Sequence, residues 1–266
     1  MEKAVIVGVF EFLGFHFCKR ILDEGIEVVG IQPDIDEDNY LIEEKRLEIG
    51  RNANFSYINS MDKWNVSNEP VTLIVDFYDF FVKKNEGFIL NSTLFEKMAE
   101  KMNQENSKVI FLIPILLKSR AQYKQGYSKL MEKVEQLQGK NIPIQTFYLP
   151  TIYGPWQSEE FLFQQAMSLE KEQWQLNDRE WTGDALYVED IVADILNIIE
   201  KNNESFLLKS GETDAWSKCA KYLNITLSPT SEEKLDIHDN EIIVGTSSLE
   251  EGLEKQKRLV RSLKLP

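Results

Sequence analysis

The stretch "AVIVGVFEFLGFHF", residues 4–17, determines the fold that we predict for this chain. An apolar run leads into Gly8, and a second glycine, Gly14, follows six residues later at the start of a helix-like pattern. Strand, glycine-containing turn and helix in this order are typical of a loop that cradles the phosphates of a nucleotide. Between the two glycines stands Glu11, which places a negative charge where such a loop receives phosphates.

Strand-like and helix-like segments alternate through the first 150 residues, which favours a parallel sheet flanked by helices. After the helix that contains Gly14, strands are predicted at 26–32, 54–59, 71–77, 108–114 and 144–150, and helices at 91–104, 124–139, 187–202 and 214–223. A short strand and a final helix complete the pattern within 241–263. We predict a Rossmann-type doubly wound parallel sheet at residues 1–150. A small C-terminal α/β region at 151–266 is expected to interleave partly with it and close over the cleft.

Composition and local patterns also indicate which partners, location and metal sites to expect. The formal net charge of −14 disfavours binding to nucleic acid or to an anionic membrane surface. No apolar stretch reaches the roughly 20 residues that span a bilayer. The N-terminus enters a strand-like run without the pattern of a secretory signal, so we expect a cytoplasmic protein. Cys18 and Cys219 have no metal-type spacing, and with only His16 and His238 no metal site is expected.

Five segments, in this order, resemble the extended short-chain dehydrogenase/reductase family, in particular its NAD-dependent nucleotide-sugar epimerases and dehydratases. They are "VGVFEFLGFHFCKRILDEGIEVVGI", "YSKLMEKVE", "LPTIYGP", "ALYVEDIVADIL" and "SSLEEGL". The resemblance covers almost the whole chain. It implies NAD or NADP as cofactor, a small-molecule ligand and a possible homodimer, whereas fold alone does not establish activity.

The resemblance implies a set of cofactor contacts that has changed in this chain. The family spacing places glycines at 8, 11 and 14, and the middle one is Glu11 here. An acidic residue expected to hold the ribose is replaced by Gln32, with Asp34 two residues later in an acidic stretch. The implied cofactor residues are Gly8, Glu11, Phe12, Leu13, Gly14, Gln32, Asp34 and Lys129.

Two further predictions concern the loop. We expect the Glu11 carboxylate to lie beside the unsatisfied N–H groups of the following helix and so occupy the anion position itself. In "DFYDFF", residues 76–81, Tyr78 and Asp79 stand where the family has small residues, and we expect bulky side chains there to fill the cofactor groove.

The catalytic set that the resemblance implies is incomplete. The family needs a tyrosine, a lysine four residues later and a Ser/Thr on the preceding strand. Lys129 aligns with the lysine, but Gln125 aligns with the tyrosine, and Tyr123 and Tyr127 only flank that position. The strand end reads "FLIPILL" and carries no hydroxyl.

Two hypotheses follow. Arginines that commonly bind sugar-nucleotide phosphates in the family are replaced by Tyr148 and Gly183. Together with the other losses, this favours a non-catalytic binding or regulatory protein. The alternative is an active NAD(P)-dependent epimerase, dehydratase or reductase with a shifted site, in which Lys129 acts with Tyr123 or Tyr127.

Overall fold

The computed structural model describes residues 1–33, 39–60, 63–64, 69–101, 107–199, 204–226, 240–245 and 247–263. Its strands are β1 (Lys3–Val7), β2 (Glu27–Ile31), β3 (Phe55–Ile58), β4 (Thr72–Asp76), β5 (Lys108–Pro114), β6 (Ile144–Leu149), β7 (Thr151–Tyr153), β8 (Ala185–Tyr187), β9 (Ser205–Ser210) and β10 (Asn240–Val244). Its α-helices are α1 (Phe12–Asp23), α2 (Tyr40–Ile49), α3 (Phe77–Val82), α4 (Gly87–Leu90), α5 (Leu94–Lys101), α6 (Leu116–Ser119), α7 (Lys124–Gln138), α8 (Leu162–Ser168), α9 (Val188–Ile198), α10 (Ala215–Tyr222) and α11 (Leu249–Leu263).

Eight strands form one sheet in the order β10-β9-β6-β5-β4-β1-β2-β3. The pairs β1–β2, β1–β4, β2–β3, β4–β5 and β9–β10 are parallel. In β1, Val5 lies between Val29 on one side and Leu73 on the other. The predicted Rossmann-type parallel sheet is confirmed.

The central strands form where the sequence is continuously apolar. All five residues of β4 are buried, and so are the last six of β5, as expected for strands that helices cover on both faces. Phe95 from α5 stacks on Phe111 from β5 with ring centroids 5.8 Å apart. Parallel strands that are buried on both faces place their carboxyl ends at one edge, and the loops at that edge carry the candidate site.

The chain divides into two compact units. The first comprises Met1–Ile113, Lys124–Phe147 and Glu200–Glu204; the second comprises Pro114–Tyr123, Tyr148–Ile199 and Ser205–Pro266. Within the second unit, β7 and β8 pair in parallel as a separate two-stranded sheet, and Phe163 packs on Trp216 at 5.4 Å between ring centroids. Among the described residues no helix has the length and apolar character needed to cross a membrane.

Candidate functional site

The glycine loop follows β1 and turns the chain into α1. Gly8 has a backbone φ of +86°, a left-handed conformation that glycine adopts without steric cost. Gly14 lets α1 approach the loop closely, since a Cβ atom there would lie 2.0 Å from the carbonyl oxygen of Gly8. The two remaining glycines thus serve the tight turn and the helix packing that a dinucleotide loop also uses.

The carboxylate of Glu11 is buried in this loop and held by two side chains. Its Oε1 accepts a hydrogen bond from Gln32 Nε2 at 2.9 Å, and its Oε2 accepts one from Lys83 Nζ at 2.6 Å. The side chain makes no capping hydrogen bond to α1. The prediction that Glu11 occupies the anion position of the helix is therefore wrong, because the carboxylate turns instead to the nearby ammonium group.

Two other carboxylates accept hydrogen bonds from the start of α1. The N–H of Leu13 donates to Asp79 Oδ2 at 2.7 Å, and the N–H of Gly14 donates to Asp76 Oδ2 at 3.0 Å. The first N–H groups of a helix have no partner within the helix, and they are the donors with which a nucleotide loop binds phosphate. At Leu13 and Gly14 these donors are already occupied by the chain's own carboxylates.

Sheet order explains how these carboxylates reach the loop. Strand β4 lies directly beside β1, so Asp76 at its carboxyl end faces the glycine loop. Helix α3 begins at the next residue, and Asp76 caps it by accepting the N–H of Asp79 at 3.0 Å. This turn brings Asp79 back toward the start of α1.

Two lysines stabilise the charge of Glu11. Burial opposes ionisation of the carboxyl group, but Lys83 and Lys45 outweigh it, so the pKa of Glu11 lies below its usual range. Lys45, on α2, is itself buried and donates to the carbonyl oxygen of Phe10 at 2.6 Å. Burial and the charge of Lys83 lower the pKa of Lys45 to about 8.

Asp76 and Asp79, unlike Glu11, are harder to ionise than an ordinary carboxyl group. Both residues are fully buried, with no solvent exposure. Burial and the neighbouring Asp79 raise the pKa of Asp76 well above its usual range, and burial also raises the pKa of Asp79. Asp79 Oδ1 has no hydrogen-bond donor among the described residues. The loop thus holds one ionised carboxylate, Glu11, and two that resist ionisation.

Aromatic side chains fill the space around the loop. Phe10 is buried, and its ring packs edge-on against Tyr57 at 5.3 Å and Phe55 at 6.3 Å between centroids. A Cβ atom on Gly8 would lie 3.0 Å from Phe80 Cε2 and 3.2 Å from the Cβ of Asp76. Side chains of Phe80, Asp76 and Glu11 therefore lie directly against Gly8.

Three other predicted cofactor residues, Gln32, Phe12 and Leu13, are buried around the same loop. Gln32 is buried at the end of β2 and accepts the N–H of Phe10 at 2.9 Å while donating to Glu11. The side chains of Phe12 and Leu13 are buried in α1. Tyr78 is 2% exposed, in the row of bulky residues that follows β4. Asp34 lies outside the described residues.

The residues of the alternative catalytic set fall in both units. Lys129 and Tyr127 lie on α7 in the first unit; the side chain of Lys129 is exposed, and that of Tyr127 is half-buried. Tyr123 lies in a short 3-10 helix of the second unit, and its hydroxyl donates to the carbonyl oxygen of Asp178 at 3.3 Å. The end of β5, where the family has a hydroxyl, is the buried pair Ile113 and Pro114.

The described residues contain no group of three or more His, Cys, Asp or Glu side chains arranged to hold a metal ion. His16 packs edge-on against Phe12 at 5.5 Å and Phe15 at 6.1 Å. His238 lies outside the described residues. Cys18 and Cys219 are free and buried.

The second unit contains a buried carboxylate of its own. Glu180 Oε2 accepts the N–H of Leu162, at the start of α8, at 2.9 Å, and Oε1 accepts Trp216 Nε1, on α10, at 3.1 Å. Burial raises the pKa of Glu180 to about 7. This carboxylate joins two helices through a group that changes charge near neutral pH.

Sequence reasoning missed Asp76, Lys45 and Lys83 as parts of the loop, and it treated Asp79 only as a bulky residue. The one signal available was the position of Asp76 and Asp79 just after a buried strand. Their role depends on the adjacency of β4 and β1, which one sequence does not encode as a local pattern.

The chain matches no model of a protein family. It is 30% identical over 82 residues to the uncharacterized protein YjaV of Bacillus subtilis, a match that covers 30% of this chain and 42% of that protein. The chain thus spans less than half the length of that relative.

Solved structures resemble the chain over nearly its whole length. UDP-glucuronic acid 4-epimerase from Bacillus cereus in complex with NAD is 17% identical, with a TM-score of 0.69 and coverage of 98% of this chain and 99% of that one. The chain has the epimerase/dehydratase fold. An NAD complex of dTDP-glucose 4,6-dehydratase from Bacillus anthracis gives 14% identity, a TM-score of 0.65 and coverage of 99% and 98%. An NAD-dependent NDP-hexosamine 5,6-dehydratase involved in tunicamycin biosynthesis gives 10% identity, a TM-score of 0.68 and coverage of 98% of both chains.

Proposed function

We propose that this chain is a binding or regulatory protein that keeps the epimerase/dehydratase fold without the standard oxidoreductase chemistry. One observation carries the proposal: the N–H groups of Leu13 and Gly14 donate to the carboxylates of Asp79 and Asp76. A dinucleotide pyrophosphate needs donors of this kind at the start of the helix. In this chain two of these donors are occupied by aspartate side chains of the chain itself, and we call this state of the loop closed.

The energetic cost of opening the loop supports the proposal. A pyrophosphate would have to displace both aspartates, and a hydrogen bond contributes roughly 0.5–1.5 kcal/mol between neutral groups and roughly 1.5–3 kcal/mol when one group is charged. It would also lie near Glu11, and two like charges 4 Å apart repel by about 4 kcal/mol at an effective dielectric constant near 20. That repulsion alone weakens affinity by about a thousandfold, before the partial compensation by Lys83.

The residues at the family's catalytic positions also support a protein without oxidoreductase chemistry. A tyrosine with an ordinary pKa near 10 is a poor base at neutral pH unless a cation lies close to it. Gln125 stands where the family has that tyrosine, and Lys129 is an exposed residue of α7. Without the tyrosine and the strand hydroxyl, a bound nicotinamide would lack its proton-transfer partner.

A calorimetric titration with NAD⁺, NADH, NADP⁺ and NADPH tests the proposal. We expect no binding of any of the four at concentrations up to about 1 mM, the range of weak association. A dissociation constant in the micromolar range for one of them would refute the proposal.

A double variant provides the matched comparison. Glu11→Gly with Asp79→Ala returns two positions to the residues that the family resemblance implies, and it frees the N–H of Leu13. If this variant folds and binds a dinucleotide more tightly than the unchanged chain, the block lies in these two side chains. Circular dichroism establishes that both proteins are folded.

A second candidate is an NAD(P)-dependent epimerase, dehydratase or reductase with a shifted site. Its support is the likeness to enzymes in complex with NAD over 98% or more of this chain. In this case Lys129→Ala should abolish any detected turnover, whereas Lys124→Ala, another exposed lysine on α7, should not. Equal activity of the two variants would exclude the assignment.

A further inference from the structure

Asp76 and Asp79 bring four carboxyl oxygens together at the start of α1. Three of them accept backbone N–H groups: Asp76 Oδ1 from Asp79, Asp76 Oδ2 from Gly14, and Asp79 Oδ2 from Leu13. The fourth, Asp79 Oδ1, is buried without a donor among the described residues. The carboxylate of Asp76 lies 3.0 Å from the backbone nitrogen of Asp79, so the two side chains are immediate neighbours.

Two ionised carboxylates in such contact repel each other, and a buried carboxylate oxygen without a donor is costly. A proton on Asp79 Oδ1 removes both problems, because the resulting O–H donates to a carboxylate oxygen of Asp76. All four oxygens then take part in hydrogen bonds. The N–H groups of Leu13 and Gly14 keep their acceptors.

We propose that a single proton shared by Asp76 and Asp79 holds the glycine loop closed, so that closure depends on pH. The inference rests on the proposed function, because it assigns a control to the closed state of the same loop. On deprotonation the O–H bond of the pair breaks and the proton passes to water. No bond between heavy atoms changes.

Charged groups on the described elements around the pair determine whether it keeps its proton. Glu11 faces it from the glycine loop, Lys45 from α2 and Lys83 from the end of α3. With the shared proton present, two carboxylates face two ammonium groups and the cluster is neutral. Without it, three carboxylates face two cations. Because the pKa of Lys45 is about 8, the cluster then becomes more negative still as pH rises.

This charge loosens the contact between α3 and α1. The aspartates gain water by moving away from the start of α1, and the N–H groups of Leu13 and Gly14 lose their acceptors. The protonated loop is therefore the closed form, and the deprotonated loop is the form in which these two donors are released.

NMR titration of the full chain tests the shared proton. The amide signals of Leu13 and Gly14 and the side-chain carboxyl carbons of Asp76 and Asp79 are followed from about pH 5 to about pH 9, the range in which buried carboxyls titrate. All four should shift with a common midpoint above the ordinary aspartate pKa of about 3.9. Carboxyl titration only near that ordinary value, with amide signals that do not titrate in this range, would overturn the inference.

Variants add a second readout. Asp79→Asn keeps an oxygen for the N–H of Leu13 and supplies a permanent donor toward Asp76, so it should abolish the amide titration. Asp23→Asn, at an exposed position of α1, should leave it unchanged.

In urea unfolding, the unfolding equilibrium constant of the unchanged chain should rise by up to about tenfold per pH unit through the titration, because the folded state holds one more proton. Asp79→Asn should reduce that rise and leave the part that comes from Glu180, whose pKa is about 7.

The outcomes separate this inference from the proposed function. Micromolar binding of a dinucleotide at neutral pH would refute the proposed function whatever the titration shows. Absence of dinucleotide binding, together with carboxyl titration only near the ordinary aspartate value, would overturn the shared proton alone. If Asp79→Asn does not fold, the titration of the unchanged chain still decides.

Discussion

At the scale of single residues, Asp79 does most to distinguish this loop from an open dinucleotide loop. The position stands where the family resemblance implies a small residue, and its carboxylate accepts the N–H of Leu13 at 2.7 Å. One side chain thereby adds bulk beside the loop and supplies an internal acceptor for an N–H group of α1. The sequence indicated the bulk, whereas the hydrogen bond depends on strand adjacency and on α3, neither of which a local pattern encodes.

Glu11→Gln should destabilise the chain by about 1–2 kcal/mol at neutral pH, because it removes one partner of a largely buried ion pair while Lys83 still reaches water. The pKa of Glu11 is lowered in the folded state, so its stabilisation is present above the unfolded pKa and is lost as pH falls through the folded value. The unchanged chain should therefore lose more unfolding free energy on acidification than the variant. Urea unfolding at several pH values measures this difference.

Glu24→Gln serves as the control for that experiment. Glu24 pairs with Arg20 on the surface of α1, where an ion pair contributes roughly 0.2–1 kcal/mol. An effect of Glu11→Gln no larger than that of Glu24→Gln would contradict the role assigned to the buried pair.

Gly14→Ala should reduce the unfolding free energy by about 3 kcal/mol or more, because a Cβ atom 2.0 Å from the carbonyl oxygen of Gly8 forces the helix away from the loop. Gly87→Ala is the matched control, since a Cβ atom there meets nothing closer than 3.5 Å. Thermal and urea unfolding compare the two variants. Equal stability would show that α1 does not pack against the loop as described.

At the scale of elements, the helices and strands that could be predicted from the sequence were those with a regular apolar pattern. The strand at β5 and the helices α1, α7 and α11 were predicted because their apolar residues form long runs or a helical repeat. Helix α3 was not, since all six of its residues are buried and none of them marks an exposed face. The three-residue strands β7 and β8 are too short to show any pattern.

Glu180 connects two such elements, and its pKa of about 7 predicts how their packing responds to pH. The folded-state pKa is raised, so the stabilisation is complete below the unfolded value near 4.5 and is lost as pH rises toward 7. At about 1.4 kcal/mol per pH unit, the loss reaches up to about 3 kcal/mol.

Urea unfolding between pH 4.5 and 7 measures that loss. Glu180→Gln should show a flatter pH dependence than the unchanged chain, and it should be less stable at low pH because its amide cannot accept from both Leu162 and Trp216. Glu172→Gln, at an exposed position, should reproduce the unchanged profile. A Glu180→Gln profile as steep as that of the unchanged chain would show that another group titrates.

At the scale of the whole molecule, the sequence indicates the fold more directly than it indicates the contacts around the glycine loop. The order of motifs along the sequence was enough to predict the parallel sheet, because each motif marks one strand–helix unit. The missing middle glycine indicated a changed loop and located the change at Glu11. The closure of that loop also involves Asp76, Asp79, Lys45 and Lys83, which come together only when β1, β4, α2 and α3 are assembled.

The most direct test of loop closure follows the backbone amides of Leu13 and Gly14 by NMR while NAD⁺ is added to the full chain at neutral pH. We predict that both signals stay in place up to about 1 mM NAD⁺, since their N–H groups already donate to Asp79 and Asp76. A shift of both signals that saturates with a micromolar dissociation constant would contradict it.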